Sequence, residues 1–261
     1  CVFNPASLSY EMVWKDGFIK FSDIRHGFLV GIPMDGTALE FADKGLTVEG
    51  TKLAGSAQFH GLYRSGKRIY FKYTLNGKTY LDSPWIKDGK FIREVQLRDD
   101  PLPAELFEGV GESAPEVFLT KITHGDGAPY AIDTVELPLK NPWHVPVMGS
   151  GLAMLGEGSA LLATMHGDVW KVENLAYPSK EARWTRFATG LHQPLGVHVD
   201  EDGIFVQCRD QLVRLWDLDD DGDADFYECF SDKFETSTGG HDYICGLERD
   251  ADGNFYTVSG P

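Results

Sequence analysis

The sequence predicts an all-β chain: an N-terminal β-sandwich-like domain followed by an incomplete β-propeller of about two and a half blades. Two observations carry this prediction. In the first half, short alternating runs are broken by turn residues, most clearly where Ile69 to Tyr73 and Lys78 to Leu81 flank Asn76-Gly77. Asn-Gly between such runs marks a two-residue hairpin, because both residues accept the positive φ of a type I′ turn. The second half repeats a unit of polar or acidic residues, a glycine and a β-prone run. Aligned on Gly158, Gly203 and Gly253, the copies stand 45 and 50 residues apart, the period of four-stranded propeller blades.

From Ser9 to about Leu97 the pattern is strands and turns, with no convincing helix longer than two turns. Trp14, Phe18, Phe21, Phe28 and Phe41 offer the bulk of a sandwich core. Residues 98–118 turn to Pro, Gly and acid, which reads as a linker with one helical turn. The predicted parts are therefore a domain over 1–97, a linker over 98–140 and a partial propeller over 141–261. Within the last, GEGSALLATMHGDVWKVE from Gly156, EDGIFVQCRDQLVRLWD from Glu201 and ADGNFYTVSGP from Ala251 are the repeated units. Trp184 to Ala188 and Leu195 to Val199 supply further strands. The third copy breaks off at Pro261, so the chain reads as a piece of a longer protein: a blade buries its faces on its neighbours, and two and a half cannot close a ring.

A formal charge of -16 and a pI near 4.8 repel nucleic-acid phosphates and anionic lipid, leaving divalent cations and neutral ligands. No apolar run approaches the roughly 18 residues of a membrane span. The cysteines, Cys1, Cys208, Cys229 and Cys245, form no C-x-x-C pair. Cys208 and Cys229 are open to two readings, a bridge or free thiols buried in strands. A start at Cys1 suits either a lipoprotein cut at its modified cysteine or a piece of a longer chain.

The sharpest motif is DLDDDGDADFYE, from Asp217 to Glu228, which fits the calcium pattern D-x-D-x-D-G-x5-E without gaps. β-prone runs, not helices, flank it, so the expectation is an EF-like loop grafted onto a hairpin. Calcium takes six to eight oxygens. Asp217, Asp219 and Asp221, a carbonyl near Asp223, Asp225 directly or through water, and a bidentate Glu228 can supply them, with Gly222 permitting the sharp turn. The competing reading is a solvated acidic turn that needs no metal.

The run GLHQPLGVHVDEDGIFVQCRDQLVRLWDLDDDGDADFYECF, with GGHDYICGLERDADGNFYTVSG after it, resembles large secreted proteins of planctomycetes and verrucomicrobia described as membrane-bound dehydrogenases. Their propeller is similar to that of the soluble PQQ-dependent sugar dehydrogenases. The stretch HGLYRSGKRIYFKYTLNGKTYL resembles the module that precedes the propeller in some of them. The resemblance implies a periplasmic or secreted quinoprotein that oxidises a sugar or alcohol through PQQ, with a c-type cytochrome domain outside this segment as electron acceptor. It also implies a catalytic base, His241, standing before Gly246-Leu247 and Asp252-Gly253, although this chain reads H-D-Y-I-C-G-L where that family has H-x-x-G-R-L. The alternative is a calcium-stabilised, non-catalytic propeller module that binds carbohydrate or protein.

His144, His166 and His198 fall at strand ends or loops that could face a propeller channel, and of these His166 is the candidate site residue. Arg209-Asp210 sits at a turn with the same prospect, against the plainer reading of a surface ion pair. The chain has no G-x-S-x-G, no P-loop and no G-x-G-x-x-G before a helix, so serine hydrolysis and nucleotide binding get little support.

Overall fold

A computed structural model describes residues 1–19, 34–41, 47–48, 51–52, 57–98, 115–237 and 242–260. Every regular element among them is a strand, so the all-β expectation holds. None of the described residues forms a helix long and apolar enough to cross a membrane. The chain divides into two compact units, Cys1–Gly111 with Asp225–Cys229, and Glu112–Ala224 with Phe230–Pro261.

The first unit holds β1 (Val2–Asn4), β2 (Ser9–Met12), β3 (Trp14–Ile19), β4 (Met34–Ala38), β5 (Thr47–Val48), β6 (Thr51–Lys52), β7 (Ala57–Ser65), β8 (Arg68–Leu75), β9 (Lys78–Lys87) and β10 (Lys90–Arg98). The last four form an antiparallel meander, β10-β9-β8-β7. Asn76 and Gly77 take φ of 52° and 74°, the predicted hairpin turn, and Asp88-Gly89 repeats it between β9 and β10 with 52° and 73°. Alternation along β8 buries Phe71, Tyr73 and Leu75 on one face, where Leu8, Tyr10, Val13 and Tyr80 meet them. Phe3 stacks on Phe71 at 4.3 Å between centroids. Of the aromatics expected as core, Phe41 packs against this cluster and Trp14 is half-buried. Phe21 and Phe28 lie outside the described residues, as does the side chain of Phe18.

Asp225–Cys229 joins this unit by pairing. Phe226, Tyr227 and Glu228 stand opposite Tyr63, Leu62 and Gly61 of β7, and the Arg64 amide donates to the Asp225 carbonyl at 2.7 Å. The fit requires a glycine at 61, where φ is 126° and a Cβ would lie 2.1 Å from the Tyr227 carbonyl oxygen.

The second unit holds β11 (Val117–Thr123), β12 (Thr134–Val135), β13 (Gly149–Gly156), β14 (Ser159–Thr164), β15 (Val169–Glu173), β16 (Glu181–Ala188), β17 (Gly196–Asp200), β18 (Gly203–Gln207) and β19 (Leu212–Trp216). β20 (Phe226–Ser231), whose first residues belong to the other unit, precedes β21 (Ile244–Arg249) and β22 (Phe255–Ser259). β13 to β16 form a meander that β11 extends by pairing with β16. Residues 117–123 thus lie in a sheet inside the stretch expected as linker. Their apolar side chains explain why: Phe118 meets Trp170 edge-on at 5.9 Å, and Ile122 is buried with Trp170, Val172 and Trp184.

β17, β18 and β19 repeat the meander, with Phe205, Leu212 and Leu247 at its centre and Phe205 meeting Phe230 and Phe255 at 5.2 and 4.8 Å. β21 and β22 begin a third copy. Gly158, Gly203 and Gly253 each sit at or beside the turn joining the first strand of a copy to the second. The first strands also pack in succession, β13 on β17 and β17 on β21.

Candidate functional site

The acidic turn runs from Asp217 to Asp225, between the end of β19 and the start of β20. Its shape follows from side chains that accept backbone amides locally. The two Asp217 oxygens accept from the amides of Asp221 at 3.2 Å and Gly222 at 2.9 Å; Asp219 also accepts from Asp221, and Asp221 from Asp223. Asp220 and Gly222 take the positive φ values, 59° and 92°, that reverse the chain. Ala224 ties the end of the turn to the second unit, its amide donating to the Phe187 carbonyl at 2.7 Å.

This winding brings one carboxylate oxygen each of Asp217, Asp219 and Asp225 within 4.8 Å of one another. Asp225 is buried, Asp217 half-buried and Asp219 exposed. Burial, followed by the charges of Asp221 and Asp219, pushes the Asp217 carboxyl up, while the Gly222 amide pulls it down. Of the other expected ligands, Asp221 and Asp223 lie in the same turn. Glu228 sits within β20, opposite Gly61. The donor set is all oxygen, as a hard cation requires.

A second cluster gathers where the loops before β17 and β21 meet the β18–β19 turn. Arg209, almost fully buried, donates to Gln193 Oε1 at 3.0 Å and to the Ser237 carbonyl at 2.8 Å, with its guanidinium 4.9 Å from the Tyr243 ring centroid. Beside it His192 Nδ1 stands 3.8 Å from Asp210 Oδ1. The side chains of both are about half exposed, and burial of the rest pushes the imidazole down and the carboxyl up from their ordinary values. At the equivalent β14–β15 turn, buried Asp168 accepts from Arg186 at 2.6 Å and Thr189 at 2.7 Å, and Arg186 lies 4.5 Å over Trp143. His166 is half-buried beside it, its imidazole pushed down by burial against the pull of Asp168.

The expected residues thus part ways. Arg209 and Asp210 do meet other polar groups, but Arg209 is a buried strut, not half of a surface ion pair. His198 is a packing residue of β17, 3.1 Å from Asp200 and edge-on to Phe255. His144 is exposed in a turn, its amide donating to the Asn141 carbonyl at 3.2 Å. His241 lies outside the described residues. No disulfide joins any of the four cysteines, and Cys208 is fully buried. The sequence reading missed His192, Gln193 and Tyr243. Their one visible signal is that G-L-H-Q-P and H-D-Y each precede the first strand of a repeat.

Residues 1–82 match the sequence model of a family described as a domain of unknown function, DUF6797. No curated protein matches the chain.

Proposed function

We propose that the second unit is the start of a calcium-stiffened β-propeller, that the first unit is its sandwich-like companion, and that the loops before each blade bind a sugar or small alcohol. The observation that carries this reading is the succession of first strands, β13 on β17 on β21. Glycines stand at both contacts, Gly151 against the Gly196 backbone and Gly196 against that of Gly246. First strands that pack in sequence are what blades arranged about a common axis require. In that arrangement the His192, Asp210 and Arg209 loops share one end, and function favours loops held on a rigid scaffold.

Calcium is the metal this reading places in the turn, because three converging carboxylates repel one another without a cation. A loop of this kind suits a secreted or periplasmic setting, where extracellular calcium modules work with Kd of about 10⁻⁴–10⁻³ M. Binding only to the folded turn stabilises by RT ln(1 + [L]/Kd), about 0.4–1.4 kcal/mol for millimolar calcium at such Kd values. Metal-stripped protein should therefore melt higher with millimolar calcium than with EDTA, and Asp219→Ala should remove the difference. Coincident melting curves for the stripped wild type would return the loop to a plain acidic turn.

The quinone chemistry implied by the resemblance draws no support from the described residues. A tricarboxylate cofactor needs exposed cations, and the two arginines at this end are largely buried. At this end Arg186 is committed to Asp168 and Thr189, and Arg209 to Gln193 and the Ser237 carbonyl. The binding-module reading is accordingly the one advanced.

A further inference from the structure

Residues 57–98 hold nine Lys or Arg against Asp82, Asp88 and Glu94, a net of +6 in a chain of formal charge -16, so the rest carries -22. The first unit's meander is thus a basic island in an acidic protein. Four of the nine cations gather at one end of it. The β7–β8 and β9–β10 turns lie together there, bringing exposed Lys67 and Lys90, half-buried Arg68 and exposed Lys87 around Trp85. Arg68 lies 4.5 Å from the Trp85 ring centroid and Lys87 Nζ 5.8 Å from it. Arg68 is balanced by Glu94 at 2.8 Å. Lys67, Lys87 and Lys90 have no ion-pair partner among the described residues, and the acid nearest Lys87 and Lys90 in sequence is Asp88 in their turn.

The register makes this arrangement costly. Lys87 and Lys90 stand directly opposite across the β9–β10 pair, where like charges repel. Trp85 and Ile92 are the opposing pair on the same face, one step inward, so an apolar strip lies beside a cationic one. An anionic ligand with apolar surface between its charges would answer both strips. A chain of acidic sugars has this character, with ring C–H faces alternating with carboxylates. Nucleic acid fits less well: duplex DNA carries a charge every ~1.7 Å along its axis, which leaves no apolar face between charges for Trp85 and Ile92.

We propose that this end of the β7–β10 sheet is a docking surface for an acidic polysaccharide, with carboxylates held by Lys87, Lys90 and Lys67 and sugar rings lying along Trp85 and Ile92. The test is binding of the full chain to immobilised polygalacturonate, with dextran and single-stranded DNA as comparisons. Polygalacturonate should be held at about 50 mM salt and released by about 500 mM, as exposed charge pairs are screened. Lys87→Gln/Lys90→Gln should weaken binding about tenfold or more with the melting temperature unchanged. Lys67→Gln, lying in a separate turn, should weaken it in the same direction and serves if the double variant folds poorly. Absence of polygalacturonate binding, or binding that neither variant changes, overturns the proposal. Equal or tighter binding of DNA would make the surface a nucleic-acid patch, and concentration-dependent self-association lost in the variants would make it a contact with a second copy; either result also overturns it.

Discussion

Asp82 shows how much one buried residue organises. Fully buried, it accepts from the Tyr10 hydroxyl at 3.0 Å, the Tyr73 hydroxyl at 3.1 Å and the Arg93 guanidinium, which also donates to the Leu8 carbonyl. Burial, reinforced by the Asp82 charge, pushes both tyrosines up, so they stay protonated donors. Asp82→Ala would remove the buried acceptor that Arg93, Tyr10 and Tyr73 share, and the expected cost is about 3–5 kcal/mol, read from urea denaturation. His124 makes a different case. Its Nδ1 faces Asp133 at 2.7 Å and its Nε2 the Ser179 carbonyl at 2.6 Å, so both nitrogens meet acceptors and the protonated ring is favoured. The Asp133 hydrogen bond is the main cause of a raised His124 value. A raised histidine contributes stability that is full below its ordinary value of about 6.5 and is lost as pH rises through the folded one. An NMR titration should place His124 above that ordinary value and Asp133→Asn should lower it; a native midpoint at or below the ordinary value would refute the pairing.

At the scale of elements, glycines decide which strands approach. A Cβ on Gly196 would lie 2.7 Å from the Gly246 carbonyl carbon, backbone that cannot give way, whereas one on Gly158 would meet the Ala176 Cβ at an ordinary 3.4 Å. Gly196→Ala is therefore expected to cost about 1–3 kcal/mol and Gly158→Ala close to nothing, by denaturant titration of each. Equal costs would mean that the first strands are not held at close contact. The hairpins were legible: Asn-Gly and alternating aromatics specify β8 and β9 without help from the rest of the chain. Asp88-Gly89 carries the same signal and was just as readable. β11 was not, because seven residues with modest alternation, set after a Pro- and acid-rich run, gain their strand only from the edge of β16.

For the whole molecule, each unit has a core of its own, one around Tyr73 and Phe71, the other around Trp170 and Trp184. Amide exchange should report them separately. Asp82→Ala is expected to speed exchange in β8 to β10 and leave β14 to β16 at wild-type rates, since each set of strands packs on a core of its own. Uniform acceleration across both sets of strands would show a single cooperative unit instead.

The sequence by itself determined the local order: strands throughout, turns at Asn76-Gly77 and Gly222, a repeat near 45 to 50 residues and a carboxylate loop of regular spacing. These are effects of near neighbours, where φ preferences, alternation and side-chain-to-amide bonds act within a few residues. Only the tertiary structure decided that Phe226 to Glu228 pair with β7, that Arg64 reaches the Tyr227 hydroxyl 163 positions away, and that His192 meets Asp210. Such partners are chosen by which exposed strand edge and which loop end the folded chain presents, and no spacing in the sequence encodes that choice.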